Sequence, residues 1–341
     1  MRIVHVANFH GPASGALATT LEQLGRAYRR AGHQYFVIAP GPRQDHEHLP
    51  WGTRHTIAAR SLVGDRYRPL AVDFGVRRLL AQLAPDSLEV SDRLTMRRLG
   101  GWAQKQGIPA TVVSLGPPAE WTLQPGLLAP YRAVVSSHEA SARRFEAILP
   151  GRVIRVDPGV DLEVFSPLRW SAKVRSEVLD RSQVLLTHVG RLSNDRMPLA
   201  SLDALRTLRA RGVDARLVVV GAGPLRGRVE RAAVDLPVSL LGRLDDRHEL
   251  AVLLASSDAM LSPATHDARR LSGLEALASG TPVALGSTGI QLADAVQGIL
   301  AQPTETRRSD ARALAAQFDW RSTTARMIDL HESLAGVPSV A

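Results

Sequence analysis

The segment "VDPGVDLEVFSP", Val156–Pro167, separates two stretches of the chain that repeat the same alternation of strands and helices. It has a proline near each end and an internal glycine, as expected of a stiff connector between domains. On both sides, short and nearly continuous apolar runs are separated by longer helical patterns, which is typical of parallel sheets covered on both faces. The sequence therefore predicts an α/β fold with two doubly wound parallel-sheet domains.

Before the connector, three helices are predicted at Leu17–Arg30, Val72–Leu83 and Leu94–Gln106. The strands predicted here are Arg2–Ala7, Tyr35–Ala39, Thr53–Ala58, Ser87–Val90, Ala110–Ser114 and, as the last of this half, Val134–Ser136. Gly41–Trp51 is predicted to be a polar loop, since it follows a strand and lacks an apolar period.

After the connector, the same alternation of apolar runs and helical patterns predicts strands at Val184–Val189, Arg216–Val220, Val238–Leu241, Ala259–Ser262 and Val283–Leu285. Helices are predicted between them at Leu199–Arg211, Leu225–Ala233, Arg247–Ala255 and Gly273–Ser279. A final amphipathic helix is predicted at Trp320–Leu334, after the second sheet is complete.

The length and composition are typical of a globular protein with two domains. The 341 residues suit two domains of ordinary size, and the hydrophobic content of 45% is enough for two cores. The absence of cysteine excludes disulfides and thiolate metal sites and fits a reducing cytoplasm. No run approaches ~20 apolar residues, and the start enters a strand pattern without a signal-peptide layout. We expect a cytoplasmic protein without a metal site.

The net charge of +9 comes almost entirely from arginine, because the chain has only two lysines. The arginines are spread through both halves, and aromatic residues make up 4%, which argues against nucleic-acid binding. A basic face that attracts phosphorylated substrates or anionic lipid fits better. Two locations are therefore compatible with the sequence: free in the cytoplasm, or in peripheral contact with the inner face of the plasma membrane. The basic residues that could make this contact are Arg66, Arg68, Arg77, Arg78, Arg93, Arg97 and Arg98.

Several motifs occur in the order found in family 4 retaining glycosyltransferases, and the chain resembles that family over almost its whole length. They are "GVDLEVFSP", "HVGRLSNDRMPLASLDAL", "LVVVGAGPLRGRVE" and "LSGLEALASGTPVA". The N-terminal "RIVHVANFHGPASGAL" and the segment "LEVSDRLTMRRLGGWA" at Leu88–Ala103 resemble the actinobacterial branch of phosphatidylinositol-type, GDP-mannose-dependent α-mannosyltransferases.

The resemblance implies the GT-B fold, in which two Rossmann-like domains face a central cleft. Residues 1–158 would form the acceptor-side domain, with the C-terminal helix 320–341 packing back on it. Residues 159–319 would bind the nucleotide sugar. The implied reaction is transfer of a hexose, mannose from GDP-mannose, to a lipid-linked or glycan acceptor, without a further cofactor. The alternative is a catalytically impaired homologue that binds a nucleotide sugar or a protein partner.

The resemblance also implies site residues. Arg191 and Arg196, which stands where the family has lysine, would neutralise the donor diphosphate, and Asp267 would contact the transferred sugar. The other implied donor-binding residues are Gly15, Ala16, Gly190, Gly242, Leu244, Leu271, Ser272 and Glu275, whose carboxylate could bind ribose hydroxyls. On the acceptor side the candidates are Asn8, His10, Ser14 and Asp92. Glu89 and Ser91 would also lie near the cleft if Ser87–Val90 is a strand.

Two positions depart from the family pattern. Arg269 and Arg270 replace an aromatic residue and a glycine, so the loop before Glu275 must be remodelled, or the arginines must face the cleft and contact phosphate. Leu115 stands where the related branch has a histidine that faces the reacting sugar. Loss of a positioned polar group costs on the order of 10²–10⁴ in rate, which keeps the impaired alternative open.

Overall fold

The structure of the protein is a computed structural model, and it describes residues 1–7, 15–60, 70–71, 74–91, 93–114, 123–263 and 270–336. The chain divides into two compact units. The first comprises Met1–Pro158 and Trp320–Ala341, and the second comprises Gly159–Asp319. Each unit is built on its own sheet.

The first unit contains an eight-stranded sheet with the order β3-β4-β2-β1-β5-β6-β7-β8. Its strands are β1 (Arg2–Val6), β2 (Gln34–Gly41), β3 (Asp45–Leu49), β4 (Gly52–Ala58), β5 (Ser87–Val90), β6 (Ala110–Ser114), β7 (Ala133–Ser136) and β8 (Val153–Arg155). Its first five helices are α1 (Gly15–Arg30), α2 (Phe74–Leu83), α3 (Arg93–Lys105), α4 (Pro125–Leu128) and α5 (Glu139–Glu146). All neighbouring strands are parallel except β3 and β4.

Alternate residues of the central strands supply the two layers of this core. Val4 and Val6 of β1 pack in a cluster with α2 and α3 residues such as Leu80 and Leu99. Ile3, on the opposite face of the same strand, packs in another cluster that contains Leu21 of α1. Because side chains of a strand alternate between faces, a continuous apolar run produces a sheet that is buried on both sides.

Two predictions about this unit were wrong. Gly41–Trp51 is not only a polar loop, because β3 pairs antiparallel with β4 at the edge of the sheet. This strand reads DHEHL and is largely exposed, so it has no apolar pattern, and its charges suit an unpaired edge. The last strand of this half is β8 rather than β7, and β8 has only three residues.

The second unit contains a five-stranded parallel sheet with the order β11-β10-β9-β12-β13. The strands are β9 (Val184–Val189), β10 (Ala215–Val220), β11 (Val238–Gly242), β12 (Ala259–Pro263) and β13 (Val283–Gly286). The helices are α6 (Ala172–Leu179), α7 (Pro198–Ala210), α8 (Arg226–Ala232), α9 (Arg247–Ala255), α10 (Leu271–Ala278), α11 (Gly289–Leu300) and α12 (Thr304–Ala316). Two apolar clusters cover the two faces of this sheet.

The last helix, α13 (Trp320–Ala335), belongs to the first unit and packs against α1 and β5. Met327 and Leu330 are buried in the same apolar cluster as the α1 residue Leu24. The Thr323 hydroxyl donates to the carbonyl oxygen of Asp157 at 2.8 Å. Apolar burial and hydrogen bonding together therefore fix this helix on the first sheet.

A close approach of two strand ends in the second unit requires glycine at position 221. Gly221 follows β10 with a φ of +148°, and a Cβ there would overlap the carbonyl oxygen of Gly190, which follows β9. The Gly221 amide donates to the Gly242 carbonyl oxygen at 2.6 Å. The glycines at the ends of β9, β10 and β11 therefore hold these ends together.

We expect Gly221→Ala to lower the free energy of unfolding by about 2 kcal/mol or more, because both the overlap and the backbone conformation oppose a side chain. Gly298→Ala is the matched control, since a Cβ at this position of α11 meets no atom within 4 Å. Alanine should stabilise that helix by about 0.5–1 kcal/mol. Urea denaturation of both variants tests this, and equal effects of the two substitutions would contradict it.

Candidate functional site

A pocket lies where the strand order of the second unit reverses. The chain builds β10 and β11 on one side of β9 and then places β12 on the other side. Such a reversal leaves an opening at the carboxyl ends of the two central strands, which is where α/β sheets bind ligands. The pocket is lined by His188 and Val189 of β9, Leu261, Ser262 and Pro263 of β12, and Arg196, Arg270 and Ser272.

Arg196 and Arg270 bring two guanidinium groups to this pocket. Arg196 lies in a single 3-10 turn, Asn194–Arg196, and is half-buried. Burial lowers the pKa of Arg196, the positive charge of Arg270 lowers it further, and Asp195 opposes both effects. Because two like charges sit close together, a bound anion would relieve their repulsion, and guanidinium groups suit phosphate oxygens.

The backbone conformation of Arg270 shows that arginine can replace the family's glycine at this position without strain. Its φ is −68° and its ψ is 147°, which is an extended conformation open to any residue. Arg270 therefore carries no backbone strain as it precedes the first turn of α10. Arg270 lines the pocket, and contact of this arginine with phosphate stays a prediction. Arg269 lies outside the described residues.

His188 forms part of the pocket wall and is almost fully buried. Its Nδ1 lies 2.9 Å from the hydroxyl of Ser201, and its Nε2 has no hydrogen-bond partner among the described residues. Burial, reinforced by the charge of Arg196, lowers the pKa of His188 to about 4, so the ring is neutral at pH 7. When Ser201 donates to Nδ1, Nε2 carries the proton and can donate to a ligand in the pocket.

Glu275 lies in the second turn of α10 and is 6% exposed. Its carboxylate faces Arg247 at 3.5 Å, and the Arg247 guanidinium also stacks over the Phe165 ring at 5.1 Å. Burial raises the pKa of Glu275 to about 7, while Arg247 lowers it and Asp161 raises it. A buried carboxylate held mainly by one ion pair retains lone pairs for hydroxyl donors.

The other residues expected at the site lie in several parts of the chain. Arg191 is exposed and does not line the described pocket, and Leu244 packs its side chain against an apolar core cluster. Ser272 lines the pocket beside Leu271, which begins α10, whereas Gly190 follows β9 and Gly242 ends β11. Gly15 and Ala16 begin α1. The expected residues outside the described part of the chain are Asn8, His10, Ser14, Asp92 and Asp267, and Leu115, which replaces the family's histidine, also lies outside it.

Motif reading did not single out His188. The available signal was a histidine inside the apolar strand VLLTHV, one residue before the strand ends. A polar side chain at that point of the first strand lies beside the reversal of strand order, so the topology rather than the motif identifies it.

Within the described ranges, histidine and acidic side chains form no group of three that could hold a metal ion. Nor does any helix in these ranges combine the length and apolar character that crossing a membrane requires.

Comparison with known proteins identifies the class. Residues 14–164 match the domain Glycosyltransferase Family 4, and residues 183–319 match Glycosyl transferases group 1. A GDP-mannose-dependent alpha-(1-6)-phosphatidylinositol dimannoside mannosyltransferase of Mycobacterium tuberculosis is 37% identical, with 96% of this chain and 95% of that protein covered. A D-inositol 3-phosphate glycosyltransferase of Streptosporangium roseum is 32% identical over 53% of this chain and 50% of its own length. The chain belongs to the family 4 glycosyltransferases and is an enzyme that transfers a glycosyl group.

Solved structures show the same fold. The sucrose-phosphate synthase of Thermosynechococcus elongatus superimposes with a TM-score of 0.76 at 19% identity, over 98% of this chain and 99% of that one. A trehalose-phosphate synthase of Burkholderia vietnamiensis has a TM-score of 0.74 at 17% identity, over 100% and 98% of the two chains. The predicted class, GT-B with two parallel-sheet α/β domains, is confirmed.

The raised pKa of Glu275 predicts a pH dependence of stability. The folded state binds this proton more tightly than the unfolded chain, whose carboxyl has a pKa near ~4.3. The stabilisation is therefore fully present below that value and is lost as pH rises through about 7. We expect the free energy of unfolding of wild type to fall by about 1–3 kcal/mol relative to Glu275→Gln between pH 5 and pH 8.

Urea denaturation at a series of pH values measures this difference. Glu305→Gln is the control, because Glu305 is exposed in the first turn of α12 and should follow wild type over the same range. Parallel curves for wild type and Glu275→Gln would show that Glu275 titrates normally.

Proposed function

We propose that this glycosyltransferase transfers mannose from GDP-mannose to a lipid-linked mannoside acceptor, with retention at the sugar carbon. Binding of a nucleotide-sugar donor is supported by the pocket at the β9/β12 reversal, which is lined by two arginines and a buried histidine. The choice of mannose and of a phosphatidylinositol-type acceptor is supported by the mycobacterial relative, which matches the chain along nearly its whole length.

In this proposal the pocket holds the donor diphosphate. Arg196 and Arg270 would bind phosphate oxygens, and His188 Nε2 would donate from the buried side. The amide groups of the first turn of α10 would also face the anion, as at other helix N-termini. As the bond between sugar and phosphate breaks, negative charge grows on the departing diphosphate, so fixed cations at this place lower the barrier.

The remaining residue roles follow the family pattern and stay proposals. Glu275 would bind the ribose hydroxyls, and Asp267 the transferred sugar. Arg191 would complete the cationic site, although its exposed side chain must turn toward the diphosphate. Gly159–Asp319 would thus be the donor unit, and Met1–Pro158 with Trp320–Ala341 the acceptor unit.

We further propose that the acceptor unit approaches anionic lipid. Two of its helices expose basic residues, namely Arg77 and Arg78 of α2 and Arg97 and Arg98 of α3. Leu94 at the start of α3 is 48% exposed beside them. Basic and apolar groups together favour reversible contact with a membrane surface that carries the acceptor.

The proposal is tested by incubating the protein with GDP-mannose and phosphatidylinositol mannosides in detergent micelles. We expect a product heavier by one hexose, with an α linkage by NMR, and a much lower rate with UDP-glucose as donor. Calorimetry with GDP and GDP-mannose is run in parallel. Tight donor binding without transfer to any mannoside lipid would contradict the proposal and favour an impaired homologue.

The pocket arginines should determine donor affinity. We expect Arg196→Ala and Arg270→Ala each to weaken GDP binding by about 1–3 kcal/mol, the usual scale for a lost hydrogen bond to a charged group. Arg228→Ala is the control, since Arg228 is an exposed arginine of α8 in the same unit and should bind GDP as wild type does. Isothermal titration calorimetry at fixed salt measures all three, and unchanged affinity for both pocket variants would remove the diphosphate from this pocket.

A further inference from the structure

A network of polar side chains lies buried between β1, β5, α1 and α13, outside the donor pocket. At its centre is Glu89 of β5, which is fully buried. Its Oε1 accepts hydrogen bonds from the Tyr28 hydroxyl and from His331 Nε2, both at 2.7 Å. Its Oε2 lies 2.6 Å from His5 Nδ1. Burial alone would raise the pKa of Glu89, but His5 and His331 hold it well below its usual range, so the group is a carboxylate.

One branch of this network leads from the core toward the edge of the sheet. His5 Nδ1 contacts the Glu89 carboxylate, and His5 Nε2 lies 2.9 Å from the hydroxyl of Ser91. His5 is fully buried, whereas Ser91 is half-buried and directly follows the end of β5. Carboxylate, imidazole and hydroxyl therefore stand in the order found in serine hydrolases.

The place where this branch ends is one at which α/β sheets bind ligands. In the first unit, β2 and β4 lie on one side of β1, and β5 begins the other side. The reversal of strand order therefore falls between β1 and β5, the strands that carry His5 and Glu89. Ser91 lies at the carboxyl end of β5, where the reversal opens a crevice.

The hydrogen-bond directions determine what the Ser91 hydroxyl offers. A carboxylate can only accept, so His5 must present its proton at Nδ1. A neutral ring accepts at Nε2 from the Ser91 O–H, whereas a protonated ring donates from Nε2 to Ser91 Oγ. In the first case the lone pairs of Ser91 Oγ are left to accept from a ligand, and in the second its O–H is left to donate to one. The hydroxyl groups of a polyol can form either hydrogen bond.

We propose that Ser91 binds a hydroxyl group of the sugar or inositol ring of the acceptor, and that His5 and Glu89 are positioning residues that fix the orientation of its hydroxyl. This inference rests on the proposed function, because it assigns an acceptor to the first unit. It gives Ser91, which the sequence placed only near the cleft, a specific role.

A nucleophilic role for Ser91 fits the geometry less well. Hydrolases stabilise the oxyanion with backbone amides next to the nucleophile. The Ser91 amide instead donates to the Val6 carbonyl oxygen at 3.2 Å, in the pairing of β5 with β1. The geometry therefore favours a hydrogen-bonding hydroxyl over an attacking one.

The test compares the two serines at the ends of β5. Ser87, its first residue, bonds to His331 Nδ1 at 2.8 Å on the opposite side of the same network. If Ser91 binds the acceptor, Ser91→Ala should lower kcat/KM for a phosphatidylinositol mannoside by about 3- to 30-fold, mainly through the acceptor KM. Ser91→Thr, which keeps the hydroxyl, should restore most of it. GDP affinity should not change, and Ser87→Ala should affect stability but not the acceptor KM.

His5→Asn provides a second variant, because an amide in place of Nδ1 can still donate to Glu89 while the contact to Ser91 is lost. We expect it to raise the acceptor KM as Ser91→Ala does, with no further increase in the double variant. Thermal melting of each variant controls for folding. An unchanged acceptor KM in Ser91→Ala would overturn the inference and leave the proposed function intact. Covalent labelling of Ser91 by a fluorophosphonate would overturn it in favour of a nucleophile.

A binding measurement separates this result from a failure of the proposed transfer. Saturation-transfer NMR with methyl α-mannoside and myo-inositol, in the presence of GDP, does not need turnover. Binding by wild type and Ser87→Ala that is lost in Ser91→Ala supports the inference even without mannosyl transfer. Absence of polyol binding in wild type, or equal binding in Ser91→Ala, would overturn it.

Discussion

In both units the first strand lies inside the sheet, and its two neighbouring strands come from separate parts of the sequence. The chain extends outward from β1 and β9 on one side, and then returns to place β5 and β12 on the other. Connections between parallel strands are right-handed, so helices that precede and follow a change in the direction of strand addition lie on opposite faces of the sheet. The space beyond the carboxyl ends of these strand pairs is therefore not covered by a connection. The candidate donor pocket and the Ser91 hydroxyl both occur at such a reversal. The positions of the sites are therefore a consequence of strand order.

The next-to-last residue of each first strand is a buried histidine, and its surroundings differ between the units. His5 faces the Glu89 carboxylate, which fixes a proton at Nδ1, and its Nε2 forms a hydrogen bond with the Ser91 hydroxyl. His188 lies beside Ser201 in the wall of a pocket that also holds Arg196 and Arg270, and burial, reinforced by the charge of Arg196, keeps its ring neutral. A negative partner suits a site for a neutral polyol, whereas positive neighbours suit an anion. The same strand position can therefore support two kinds of recognition.

The sequence predicted those parts of the fold and of the candidate sites that depend on local contacts. β5, β6, β9 and α9 have the bounds that were predicted, because apolar runs and helix-capping residues are local signals. The strand β3 was missed because its residues are polar. Arg196 and Glu275 were marked by motifs, but the network around Glu89 was not, since His331 is 242 residues away in the chain. Hydrogen bonds between remote segments leave no periodic pattern.

The altered loop before α10 shows how a departure from a family pattern can be compatible with activity. Glycine is required where φ is positive or where another atom comes too close, and Gly221 meets both conditions. Position 270 meets neither condition for its backbone, because its φ is −68°. Arginine there adds a planar group with several donors to a pocket where the family's lysine position is also arginine. Two forked cations can share the charge of a diphosphate over more oxygens than a single ammonium group can. Repulsion between the two guanidinium groups also makes anion binding more favourable, so the replacement is compatible with the proposed binding of a diphosphate.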